Sequence, residues 1–184
     1  MKPDTVFLKS VERYSILALI WFLATMSVGL LLSPGNSQYA PSQRLLSDLH
    51  QTDRMLFSYI LTRNVHSFFL EVSSLVTAGL ASLLFLMTSG LQLGFLIRHT
   101  DLKTVFIFVA PHGLLEMSVF IINAGTTFAA IETLVRCICE GYFPQRRTLW
   151  TYFILLVVLL VGLVGAAAIE AFVTPALAAL SLRS

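Results

Sequence analysis

Four apolar runs, at 14–32, 65–97, 104–135 and 149–168, dominate the chain and decide what it can fold into. Inside a bilayer every backbone N–H and C=O must find its partner within the segment, so long apolar runs become helices. The first run (YSILALIWFLATMSVGLLL) holds 19 residues and no charge. At 1.5 Å per residue it reaches about 28 Å, close to the roughly 30 Å of hydrocarbon. Lys2, Lys9 and Arg13 flank it, and Ser33-Pro34-Gly35-Asn36 follows as a surface turn rather than a cleavage site. The reading is an uncleaved first span. The last run is equally clean and ends in Glu170 and Thr174-Pro175, giving a last span over 149–174.

Composition agrees. Of 184 residues, 57% are apolar and 12% charged, with mean hydropathy +0.82. A soluble domain carries about 25% charged residues, so a soluble globular fold, a disordered tail and a secreted disulfide module are excluded. A net charge of +2 reflects basic caps on spans, not a surface that binds nucleic acid. Cys137 and Cys139 are alternate residues on a helix and read as small fillers rather than a metal chelate.

The two middle runs are too long for single straight spans. The second holds 33 residues, about 50 Å as one helix. Each is expected to break in two, the second near Gly79 or before Ser73, the third at Pro111. Ahead of them, 43–63 spaces its leucines helically among Arg, Asp and His. It reads as an amphipathic interfacial helix or as an extension of the next span. The fold class is therefore all-α, one polytopic membrane bundle of four to six membrane segments, two of them broken helices.

The overlong runs also resemble each other. His66-SFFL-Glu71-VSSLVTA-Gly79 is matched by His112-GLL-Glu116-MSVFIINA-Gly125. If each run crosses once, the copies run in opposite directions, as in an inverted repeat with a site between broken helices. Lys and Arg then divide equally between the two sides; with the third run crossing twice they favour a cytoplasmic N-terminus, which is the expected orientation.

Carboxylates inside apolar runs are the candidate functional groups, because each costs about 2.5–3.5 kcal/mol near the bilayer centre. Glu71, Glu116 and Glu170 qualify. In Pro111-His112-Gly113-Leu114-Leu115-Glu116 the proline suits a helix start, and His112 and Glu116 stand one turn apart, able to pair. Gly113 leaves room for a neighbouring helix. The pair reads as a structural lock, as a proton or cation relay, or as a catalytic or metal-binding set. A zinc site needs three protein ligands, and only a distant His66, Glu71 or Glu170 can complete one; no metal or other cofactor is assigned. Asn64 and Asn123 are candidate cross-links between broken helices. Gly79, Gly90, Gly94 and Gly125 are candidate packing positions, and Pro175 a second helix break.

From residue 57 onward the chain resembles the stage II sporulation protein M family. The likeness rests on Asn64, the Gly79–Gly94 stretch, Pro111-His112-Gly113 with Glu116, and Glu170-Ala171-Phe172-Val173-Thr174-Pro175. Val65 and Ser89 stand where many members have Asn. The resemblance implies a multi-pass protein of the cytoplasmic membrane that works with partners. Sporulation members act in engulfment with cell-wall hydrolases. Relatives are similar to proteins encoded beside ABC transporter components and circular-bacteriocin genes.

The expected function is a non-enzymatic subunit that scaffolds or gates an envelope complex, as a homodimer or hetero-complex in the lipid bilayer. The alternatives are a transporter or channel-like permease with a midplane His/Glu site, and an intramembrane hydrolase or peptide-maturation enzyme.

Overall fold

A computed structural model describes residues 3–32, 53–100, 102–141 and 143–181, all helix or short turns with no strand among them. Helix α1 spans Pro3–Leu32, α2 Asp53–Val72, α3 Leu80–His99, α4 Leu102–Phe108, α5 Ala110–Glu140, α6 Arg146–Ala168 and α7 Thr174–Ser181. Among the described residues four stretches are long and apolar enough to cross a membrane: Thr5–Leu32, Leu80–His99, Ala110–Glu140 and Arg146–Leu177. The chain is an all-α polytopic membrane bundle.

Helix directions follow from the contacts. Along α1, Trp21 meets Leu83, Thr25 meets Gly90 and Leu30 meets Gly94, so α1 and α3 run parallel. Ser15 lies on Gly125 and Arg13 on Glu132, so α5 runs against α1. Val119 lies on Gly162 and Leu115 beside Gly165, so α6 runs against α5. Helix α2 packs Phe57 on Phe172 and Ile60 with Ala167 and Ala171, then reaches Asn123 at Phe68 and Glu71. It therefore runs beside α5 in the same direction, and against α3. Residues 53–99 form a helical hairpin whose tip is the turn at 73–79.

This geometry corrects one expectation. The second run breaks at 73–79 and doubles back there. The His66–Gly79 and His112–Gly125 segments run in the same direction, so the opposite senses that an inverted repeat requires are not found. The predicted segment at 43–63 lies partly outside the described residues, and its later half is the beginning of α2, with no break before the rest of that helix.

The reversal has a local cause. Ser73–Leu75 tightens into a 3-10 turn, and Ala78 and Gly79 take positive φ of 50° and 90°. Glycine has no Cβ to oppose that conformation. Gly79 N–H donates to Ser74 O at 2.8 Å. The first N–H groups of α3 lack intrahelical partners; Ala81 and Ser82 donate theirs to Thr77 Oγ1 at 3.3 Å and Ser74 Oγ at 2.6 Å. The buried Ser74 hydroxyl thus does inside the bundle what water does at an exposed helix end.

The core forms where α1, α2, α3, α5 and α6 meet: Ala18, Phe22, Phe68, Leu86, Phe120 and Leu163 are buried together. Small residues set the helix spacing. A Cβ on Gly90 would stand 2.8 Å from Phe22 O and 3.1 Å from Met26 N, and one on Gly94 2.9 Å from Leu30 N. At one end of the bundle lie the start of α1, the end of α5 and the start of α6, while the hairpin tip packs partway along, where Gly79 meets Phe128 of α5. Leu32, Asp53, α4 and α7 lie at the opposite end. Arg13 and Arg136 close the first end by bridging to Glu132 at 3.0 and 2.7 Å.

Candidate functional site

The sharpest polar group lies at the opposite end, where α5 begins. Val109, at φ −112° and ψ −43°, bends the chain between α4 and α5, and Pro111 occupies the first turn of α5. A proline there forgoes an N–H that the helix start leaves unpaired anyway. His112 and Glu116 come next on one face, a turn apart.

The third member comes from the last span. After Ala168 the chain widens into a π-turn over Ile169–Val173 that carries Glu170. Its widened ladder brings Thr174 Oγ1 to Ile169 O at 3.4 Å. His112 Nε2 stands 3.8 Å from Glu170 Oε2, and His112 Nδ1 lies 3.5 Å from Thr174 Oγ1. One donor atom each from His112, Glu116 and Glu170 falls within 4.8 Å of the other two. The histidine thus meets Glu170 across the helix interface, at a distance where the two can pair or share a ligand. Pro175 sits in the first turn of α7, directly after Thr174.

Glu71 belongs to a separate group. It is fully buried and accepts a 2.8 Å hydrogen bond from Asn123 Nδ2, which also lies 3.5 Å from Phe68 O. Glu71 Oε1, Asn123 Oδ1 and Asn64 Nδ2 are buried with no hydrogen-bond partner among the described residues. Asn123 joins α2 to α5; Asn64 is buried on α2, while His66 is exposed. The residues named from sequence therefore separate into a cluster at one end and a pin in the core.

Other expectations change. Gly113 does not receive a neighbouring helix: the nearest atom to a Cβ there is Val109 Cγ1 of its own turn, at 3.1 Å. Gly125 does, against Ser15 of α1, and Gly79 packs under the ring of Phe128. Three elements have no counterpart among the expectations: the Ser74–Ser82 pair at 2.9 Å, the π-turn, and the contact of Thr174 with His112. The Glu-x-Phe-x-Thr-Pro spacing was the available signal for the last two.

This arrangement can hold a cation between an imidazole and two carboxylates, or share a proton among them. The packed interior around Glu71 is closed by aromatic and leucine side chains, among them Phe68, Phe120 and Leu86.

Comparison with known proteins gives one family. Neither curated proteins nor solved structures yield a match. The family model described as Stage II sporulation protein M matches residues 17–175, which contain the hairpin, the His112–Glu116 turn and the π-turn with Glu170. The chain belongs to the stage II sporulation protein M family.

Proposed function

We propose that this chain is a non-enzymatic subunit of the cytoplasmic membrane that scaffolds or gates a larger envelope complex, of the engulfment or export and maturation kind. The observation that carries the reading is the closed interior: Glu71, the most deeply placed carboxylate, is fully buried and held by Asn123. A substrate pathway needs polar groups that water reaches, whereas a buried pair between helices fixes how they sit. Its partners are other envelope proteins, such as ABC transporter components or cell-wall hydrolases, or a second copy of the chain.

The N-terminus faces the cytoplasm in this proposal, because Lys9, Arg13, Arg136, Arg146 and Arg147 gather at its end of the bundle.

The test is purification of the full chain from native membranes after mild cross-linking, beside a Glu116→Gln variant. Reproducible co-purification of defined envelope partners, without solute flux in proteoliposomes, supports the subunit reading. Flux lost in Glu116→Gln while assembly is untouched transfers the assignment to a permease. A hydrolase or peptide-maturation enzyme is the second reading, favoured by the gathering of His112, Glu116 and Glu170. Turnover of a candidate peptide by purified protein, lost in Glu116→Ala, would establish it.

A further inference from the structure

We propose that His112, Glu116 and Glu170 bind one divalent transition-metal ion of the zinc type, held between the start of α5 and the π-turn that succeeds α6. The donor set is one imidazole nitrogen and two carboxylate oxygens, which suits a borderline dication better than a soft or an alkali one.

The geometry is close to what such an ion needs. The three donor atoms lie within 4.8 Å of one another. Tetrahedral ligands at 2.0–2.2 Å from zinc stand about 3.4 Å apart, so the cluster closes by roughly an ångström. Rotation about the side-chain torsions of two half-buried glutamates covers that distance without backbone movement.

Support comes from outside the three residues as well. A metal-bound histidine commonly engages its second ring nitrogen with a neighbour that fixes the ring and its tautomer. Thr174, itself buried, takes that place at His112 Nδ1 and leaves Nε2 facing Glu170. The π-turn is the backbone device that puts Glu170 and Thr174 on His112 together, and such turns concentrate at functional sites.

Charge points the same way. Two carboxylates drawn together at the end of an apolar bundle repel unless a cation lies between them. Arg63 acts on Glu116 from α2 and offers a single positive charge. A dication balances both carboxylates and leaves His112 neutral, the form that ligates. With both glutamates engaged as ligands, no further carboxylate among the described residues is grouped with them, so the ion ties two segments together and keeps one position for water or a partner's side chain. The site rests on these residues alone, whether or not the subunit reading is right.

The experiment uses the full chain in detergent, stripped with chelator and titrated with zinc or cobalt(II). The expected result is about one equivalent retained after gel filtration, a visible cobalt absorption band, and a thermal midpoint raised by metal. Glu170→Gln and His112→Gln are expected to weaken retention at least about tenfold, and Thr174→Val to weaken it less, while Glu132→Gln binds as the unaltered chain does. Retention below about a tenth of an equivalent, or equal retention in Glu170→Gln, would mean an adventitious ion only and overturn the proposal. If the variants fail to elute as single species, the cobalt spectrum of the unaltered chain decides alone: a band in the visible upholds the site, and its absence ends it.

Discussion

Glu71 of α2 and Asn123 of α5 meet at 2.8 Å in the centre of the bundle, both fully buried. The sequence separates them by 52 positions, and the hydrogen bond joins the helical hairpin to the long helix beside it. Replacing Asn123 by Leu strands the carboxyl group in an apolar core, a change that costs about 1–3 kcal/mol. Glu71→Gln keeps an acceptor for Asn123 and adds a donor, and is expected to cost less than about 1 kcal/mol. Thermal unfolding of both variants in the same detergent checks the order; equal losses would show that the pair is not what matters.

Glycines on α3 allow α1 to lie against it. Gly90→Ala brings a methyl group to within 2.8 Å of the carbonyl of Phe22 and 3.1 Å of the Met26 nitrogen, backbone atoms that cannot swing aside. The helices must separate, at a cost of about 1–3 kcal/mol, and Gly94→Ala is expected to match it. Gly113→Ala meets only a valine methyl group of its own turn and is expected to leave the melting temperature within a few degrees of the original, as alanine also favours the helix. A larger loss at Gly113 than at Gly90 would contradict the packing described.

The turn at 73–79 makes its own prediction. Gly79 combines φ of 90° with the ring of Phe128 packed where a Cβ would stand. Gly79→Ala is strained twice, by about 1–2 kcal/mol for the backbone and by the ring contact in addition. Pairing it with Phe128→Ala is expected to return the steric part and leave the backbone part. Strict additivity in that double-mutant cycle would show that the ring is not in contact.

Membrane topology separates the hairpin from a single crossing. In a chain whose Cys137 and Cys139 are replaced, Val76→Cys is expected to react with an impermeant maleimide from the side that labels Gly141→Cys. Thr100→Cys is expected to label from the other side. Labelling of positions 76 and 141 from opposite sides would exclude the helix directions found here.

Much of this was legible in the residues. The charge-free first run lies within α1, though the helix begins eleven residues earlier, because Lys9 and Arg13 at the bundle end do not interrupt helical hydrogen bonding. Breaks near Gly79 and Pro111 carry recognisable backbone chemistry. What the local sequence does not encode is whether a break kinks or reverses. Gly79 reverses the chain through Ser74 and Thr77 hydroxyls that look like ordinary packing residues. Val109 and Pro111 only bend it, since Val109 N–H still reaches Val105 O at 2.9 Å and Gly113 N–H reaches Val109 O at 2.7 Å. The matching His and Glu of the two runs suggested an inverted repeat for the same reason: likeness of residues carries no direction. His112 and Glu116 stood out through their spacing, whereas Glu170 joins them across 58 positions by way of a π-turn that has no side-chain signature.

The subunit reading is tested most directly by the mass of the particle that carries this chain out of native membranes. Extraction into lipid nanodiscs without added detergent, followed by native mass measurement, is predicted to give one complex in which this chain holds a fixed ratio to other envelope proteins or to a second copy of itself. A lone chain of 20.4 kDa that by itself moves a solute or cleaves a peptide would contradict it.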